Sequence, residues 1–219
     1  IAFEMQKILG QLATEIKIRP EQVQAAVSLL DGGATVPFIS RYRKEVTGGL
    51  DDIQLRELEY RLGYLREMEE RRATILKSIA DQGKLTPELQ MAIDQAATKQ
   101  DLEDLYLPFK PKRRTKAMIA RENGLEPLLR AILSNRNAEP VKLAEAYITE
   151  TVATPKDALT GARDILVEEL GENASLLGRL RDVMQREAVI TARVIQGKEA
   201  EGAKFSDYFD HTEKWSAIP

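Results

Sequence analysis

The chain has no cysteine and a single histidine, and these two shortages exclude much of protein chemistry. Without cysteine there is no disulfide, no thiolate zinc or iron–sulfur site and no cysteine nucleophile. Such a composition fits a cytoplasmic protein. His211 lies near the C-terminus, so a Ser-His-Asp triad would depend on one residue of the tail, and His-rich metal sites are ruled out. No stretch approaches the roughly 18 consecutive apolar residues of a membrane span. Ile1-Ala2-Phe3 leads straight into an amphipathic pattern rather than a signal peptide. The phosphate loop G-x-x-x-x-G-K-S/T, a strand-borne G-x-G-x-x-G, H-E-x-x-H and G-x-S-x-G are also missing. The expectation is a protein that is not an enzyme and takes no cofactor, no metal and no membrane.

What is present is helical material. Of 219 residues 43% are hydrophobic, enough for a real core in one or two domains. Lys and Arg number 32 against 35 Asp and Glu, for a net charge of -3, and these charges fall as helix surfaces do. Phe205, Tyr208, Phe209 and Trp215 crowd the last 15 residues. An apolar tail of that kind packs on something. With Ile in place of an initial Met and an Ile-Pro end, it predicts a fragment of a longer protein.

The apolar periodicity places the elements. Val23, Ala26, Val27 and Leu30 mark a helix opened by Pro20 and stopped at Asp31-Gly32-Gly33. Thr35 is the cap of the next, with Pro37 in its first turn. In it Phe38, Ile39, Tyr42 and Val46 share an apolar sector, and Arg41, Arg43 and Lys44 lie outside that sector. Gly48-Gly49 ends it. Asp51 or Asp52 caps the longest helix, about 30 residues or roughly 45 Å, reaching Gln82. Its stripe is Leu55, Leu58, Leu62, Leu65, Leu76 and Ile79, with Met68 and Ala73 between. Glu57/Arg61 and Glu67/Arg71 are (i, i+4) pairs on it, and Gly63, which interrupts the pattern, calls for a packing reason such as the close approach of another helix.

Thr86-Pro87 and Thr154-Pro155 open two more helices, and periodic runs cover Leu125–Leu133, Pro140–Ile148 and Ser175–Ile195. Loops are expected at Pro108–Pro111, Ser134–Glu139 and Gln196–Gly202. No alternating strand pattern exceeds a few residues. The predicted fold is all-α and multihelical: a helix-turn-helix-like unit over 1–50, a scaffold packed with it over 51–200, and a tail over 201–219 leading to missing domains.

Three features could carry function. The unit from Pro20 to Val46 has the form of a helix-turn-helix, which reads DNA through a second helix in the major groove, here with Arg41, Arg43 and Lys44 outward. The alternative is a plain helical hairpin, favoured by Glu45 and by Asp51-Asp52 beyond it. The second feature is Lys110, Lys112, Arg113, Arg114 and Lys116, extended by Arg121 with no acid between. It can neutralise phosphates and release counterions, with Tyr106 and Phe109 beside it for stacking on unpaired bases. The alternative is a loop whose cations pair with nearby carboxylates. The third is the acidic run Asp164, Glu168, Glu169 and Glu172, in which Asp164 and Glu168 share a face that could present two carboxylates to Mg²⁺. A solvated face is the better reading of it.

Two long stretches are more specific still. Ala34-Thr35-Val36-Pro37-Phe38-Ile39-Ser40-Arg41-Tyr42-Arg43-Lys44-Glu45-Val46-Thr47-Gly48-Gly49-Leu50-Asp51 resembles the signature of the Tex family of bacterial transcription accessory proteins. Asp101 to Thr115, which includes Leu105-Tyr106-Leu107-Pro108-Phe109-Lys110-Pro111-Lys112-Arg113-Arg114, is similar to the family's next signature. Ala158 to Leu166 and Phe205-Ser206-Asp207-Tyr208-Phe209 resemble later ones. The resemblance covers essentially the whole chain. It implies the N-terminal helical region of a larger protein with an RNase H-like domain, helix-hairpin-helix elements and a C-terminal OB-fold that binds RNA. No catalytic residue carries over. The implied partners are nucleic acid, RNA or DNA, held mainly by domains outside this stretch, and the transcription machinery. The implied role is a scaffold that orients those domains and adds phosphate contacts. The rival reading is a protein-interaction scaffold that never touches nucleic acid.

Overall fold

The computed structural model describes residues 2–218. Ile1 and Pro219, on which the expectation of a truncated chain partly rests, lie outside the described residues. The fold is mainly α-helical, with one small two-stranded sheet, and its packing divides into two compact units, Ile1–Leu102 and Glu103–Pro219. Among the described residues, no helix is long and apolar enough to cross a membrane.

The first unit holds α1 (Ala2–Ile16), α2 (Pro20–Asp31), α3 (Val36–Tyr42), α4 (Lys44–Thr47), α5 (Asp52–Asp81) and α6 (Pro87–Gln95). Helix α7 (Lys99–Tyr106) runs across the division between the units. The long helix starts where the capping residues place it: the Gln54 amide donates to Asp51 Oδ1 at 2.8 Å, and the Asp51 amide donates to Gln54 Oε1 at 3.1 Å. Its buried face is Leu55, Leu58, Leu62, Leu65, Met68, Arg72, Ile75 and Ile79. Ile8, Leu12 and Ile16 of α1, Val23, Ala26 and Val27 of α2, and Val36 and Ile39 of α3 complete this core.

The stripe therefore differs from the apolar pattern in its last third. Ala73 is exposed and Leu76 half-buried, while Arg72 and Ile75 face inward. The reason is polar. Arg72 donates to the carbonyls of Ile93 and Ala96, the latter at 3.2 Å, and pairs with Glu69 at 3.1 Å. It thereby satisfies the C-terminal carbonyls of α6, which a helix leaves unpaired. Arg61 departs from its expected partner on the same helix and makes a two-pronged bond to Glu15 of α1, at 2.8 and 3.0 Å. Gly63 has no atom within 4 Å of where a Cβ would stand, so no helix approaches it.

The second unit contains a 3-10 turn at Leu107–Phe109, α8 (Lys116–Glu122), α9 (Glu126–Ser134), α10 (Pro140–Glu145), α11 (Pro155–Gly171) and α12 (Ala174–Glu187). Ala117, Ala120, Leu125, Leu128, Leu129, Ala144, Val152, Ala158, Ala162 and Ile165 form its core. Thr154 caps α11, accepting from the Asp157 amide at 3.2 Å. The run expected to stay helical to Ile195 stops at Glu187. Val189–Arg193 is instead strand β1, paired antiparallel with β2 (Asp210–Lys214) in the register Thr191 to Thr212. Val189, Ile190 and Thr191 are β-branched, which stiffens χ1 against the preceding helical turn and suits a pleated ladder.

Candidate nucleic-acid interface

The basic segment is built in two parts. From Lys110 to Arg114 the chain has no regular structure, and Thr115 then caps α8 by accepting from the Met118 amide at 3.1 Å. Lys116 and Arg121 consequently belong to a helix packed on α11, and Lys110 to Arg114 to the segment leading into it. On the facing side α11 carries Glu168 and Glu169, and Glu172 caps its C-terminus. Arg121 meets Glu168 at 2.7 Å, Thr115 Oγ1 donates to the other oxygen of Glu168 at 2.8 Å, and Lys112 pairs with Glu172. Arg130 of α9 pairs with Glu169, and Arg114 with Glu122.

The basic and acidic runs, separate features in the sequence, thus meet through Arg121 on Glu168 and Lys112 on Glu172. The acidic run is neither a solvated face nor a cation cage. Three of its carboxylates are occupied by Arg121, Lys112 and Arg130, and Asp164 lies 4.0 Å from Arg163. Among the described residues no three His, Asp or Glu converge as a metal site would require. Burial pushes the Glu168 carboxyl up; the hydrogen bonds from Arg121 and Thr115, with the nearby charges of Lys112 and Arg121, outweigh it and hold the group below its ordinary value.

This pairing sorts the predicted phosphate ligands. Lys112, Arg114 and Arg121 are engaged with carboxylates. Lys110, Arg113 and Lys116 are exposed and have no acid within 4 Å among the described residues. The two groups interleave, so the outward charge of the segment is about half of what its composition offers.

The unit from Pro20 to Val46 forms two helices joined through Gly32-Gly33, as expected, but the second is shorter than the pattern implies. Helix α3 ends at Tyr42. Arg43, at φ -133° and ψ 26°, turns the chain into the single turn of α4, which Gly48 closes in the left-handed conformation. Thr35 stands at the N-cap of α3 without a side-chain bond to it. The break also divides the expected apolar sector. Val36, Ile39, Thr47 and Leu50 point into the core, while Phe38, Tyr42 and Val46 are exposed. The Phe38 and Tyr42 ring centroids are 5.4 Å apart, and the Arg43 guanidinium lies over Phe38 at 5.1 Å. Arg41 and Lys44 are exposed, with no acid within 4 Å among the described residues. The composition signals these groups, but it does not signal the turn that puts both rings in water.

Comparison with known proteins adds to this geometry. Residues 6–80 match the family model described as the Tex-like protein N-terminal domain, and residues 135–219 match that described as Tex central region-like. A relative named transcriptional accessory protein Tex, from Neisseria gonorrhoeae, is 54% identical over 95% of this chain. Protein tex of Bordetella pertussis is 57% identical over 97% of it. A human protein named S1 RNA-binding domain-containing protein 1 is 31% identical over 81%. The chain spans 28%, 27% and 18% of the length of these three relatives, respectively.

Proposed function

Since the chain belongs to the Tex family, we propose that it is the helical scaffold of a nucleic-acid-binding protein that acts in transcription. In this reading it works by position. Two compact helical units orient the rest of a longer protein, and outward cations add contacts to RNA or DNA phosphates. The names of the relatives, a transcriptional accessory protein and an RNA-binding-domain protein, support the nucleic-acid part.

The observation that carries the phosphate contacts is the sorting of the basic segment. Lys112, Arg114 and Arg121 fix the segment against its own unit, and Lys110, Arg113 and Lys116 are left free to face a polyanion. The paired cations supply rigidity and the unpaired ones supply charge. Catalysis has no place in this reading. Of the two carboxylates spaced for a divalent cation, Glu168 is taken by Arg121 and Thr115, and Asp164 has Arg163 4.0 Å away.

Charge reversal of the free set tests it. In the 219-residue chain, the triple variant K110E/R113E/K116E should weaken binding to every oligonucleotide and reduce the log–log salt slope by about 2 on single strands. Fluorescence anisotropy against labelled strands at two salt concentrations reads both. An unchanged slope would remove these residues from the interface.

A further inference from the structure

The exposed aromatics of the first unit are not needed by its core. Beneath them Val36, Ile39, Thr47 and Leu50 are already buried, at 3% exposure or less. Phe38 and Tyr42 nonetheless stand 41% and 61% exposed, side by side. Large rings left together in water mark a contact surface. Two of the cations next to them are equally uncommitted. Arg56, Arg61, Arg66 and Arg72 of the same unit each pair with a carboxylate. Arg41 and Lys44 do not, and Arg43 spends its guanidinium on Phe38 and on the Tyr42 carbonyl, 2.9 Å away.

From this arrangement we propose that the outer edge of α3 and α4 is a stacking platform for single-stranded nucleic acid. Phe38 and Tyr42 take unpaired bases, with the Arg43 guanidinium backing the Phe38 ring, and Arg41 and Lys44 take the flanking phosphates. The charge selects the occupant. Residues 38–46 carry three cations against the single acid Glu45, in a chain whose net charge is -3. Aromatic rings interleaved with cations are what an unpaired strand requires, because every base offers a π-face and every link a phosphate. A duplex hides its base faces, and α3, at seven residues or roughly 10 Å, offers little length to lay along a groove.

The platform is also held rigid. Thr47 Oγ1 donates to the Arg43 carbonyl at 3.2 Å, and Gln22 Nε2 donates to the carbonyls of Thr47 and Gly48, each at 3.1 Å. Gly48 has φ +64°, and a Cβ there would come within 3.0 Å of Gln22 Nε2 and 3.1 Å of an Arg19 guanidinium nitrogen. The turn that exposes the rings is therefore locked to the start of α2. Binding would spend little free energy on ordering the site.

The proposal rests on the nucleic-acid part of the function proposed above and adds a site separate from the Lys110–Lys116 segment. Its test uses the 219-residue chain at about 50 mM salt with three labelled ligands: a 15-nucleotide oligouridine, a duplex of equal length, and a single strand with abasic sites at its centre. Phe38→Ala and Tyr42→Ala should each weaken oligouridine binding by roughly 5- to 100-fold. Tyr42→Phe, which keeps the ring, should bind as the parent chain does. The abasic strand should bind more weakly than the intact one, and its affinity should not respond to either alanine. Both rings are exposed, so circular dichroism should find the alanine variants folded. Wild-type affinity in F38A and Y42A, with loss in K110E/R113E/K116E, would overturn the platform alone. Equal binding of abasic and intact strands would overturn stacking. Failure of the parent chain to bind any of the three would overturn both proposals and give this face to a protein partner.

Discussion

Gly161 of α11 sits against Ala120 of α8 and against Leu125 at the start of α9. A Cβ placed on it would lie 2.3 Å from Leu125 Cδ1 and 3.2 Å from the Ala120 methyl, and both neighbours are buried. Alanine there overfills a closed contact, so G161A should lose about 1–3 kcal/mol, read as a lower urea midpoint with unchanged slope. Gly63 is its counterpart: also inside a helix, but facing open space. Alanine at 63 removes backbone entropy and meets nothing, and G63A should gain up to ~1 kcal/mol. A result of the same sign for both variants would contradict this account. The two glycines read alike in the sequence, where position 63 draws attention because it interrupts the longer stripe. What separates them lies on another element, dozens of residues away, and no local pattern records it. Arg72 teaches the same lesson from the polar side. Its burial is decided by two carbonyls at the end of α6.

Among the elements, the packing of α8 on α11 carries a pH dependence. Glu168 is held below its ordinary value by Arg121 and Thr115 against the opposing effect of burial. A carboxylate depressed in the folded state contributes stability that is fully present above its unfolded value, 4.5, and lost as pH falls through the lower folded value. Glu15, bonded by Arg61, and Asp31, bonded by Arg66, are lowered in the same sense and act in the first unit. The chain should therefore lose stability steadily below about pH 4.5. Glu168→Gln should cost about 1–3 kcal/mol at pH 7, and the difference from the parent should shrink toward pH 3. Thermal melts of both chains at the two pH values check it; a difference independent of pH would contradict the ion pair. Three helix starts were legible from chemistry: Asp51, Thr86-Pro87 and Thr154-Pro155 stand where their caps place them, whereas the stop expected at Gly48 closes α4 because α3 already ends at Tyr42. The strands were not. β1 is five residues long and follows a helix with little separation, and its partner begins only at Asp210. The basic and acidic runs were each visible, but their pairing spans 47 residues from Arg121 to Glu168, and spacing alone does not reveal it.

At the scale of the whole molecule, charge has to be weighed after pairing rather than before. The chain is acidic in sum, and each ion pair removes one acid with one base, so pairing leaves that sum unchanged and decides only which charges face outward. Glu15 bonds Arg61, Asp31 bonds Arg66, and Glu168 and Glu172 bond Arg121 and Lys112. What remains outward includes Arg41 and Lys44, with Glu45 beside them, on the first stretch that resembles a family signature, and Lys110 and Arg113 on the second, followed by Lys116. This residual charge, more than the total, supports reading the region as one that touches nucleic acid while it positions other domains. The most direct test is the salt dependence of binding. Anisotropy of the 219-residue chain against labelled single-stranded RNA is measured at about 50 and 200 mM salt. Three phosphate contacts should cost roughly 20-fold in affinity between those conditions. Absence of binding at the lower salt, or binding that ignores salt, would contradict the claim and leave the region a scaffold for proteins alone.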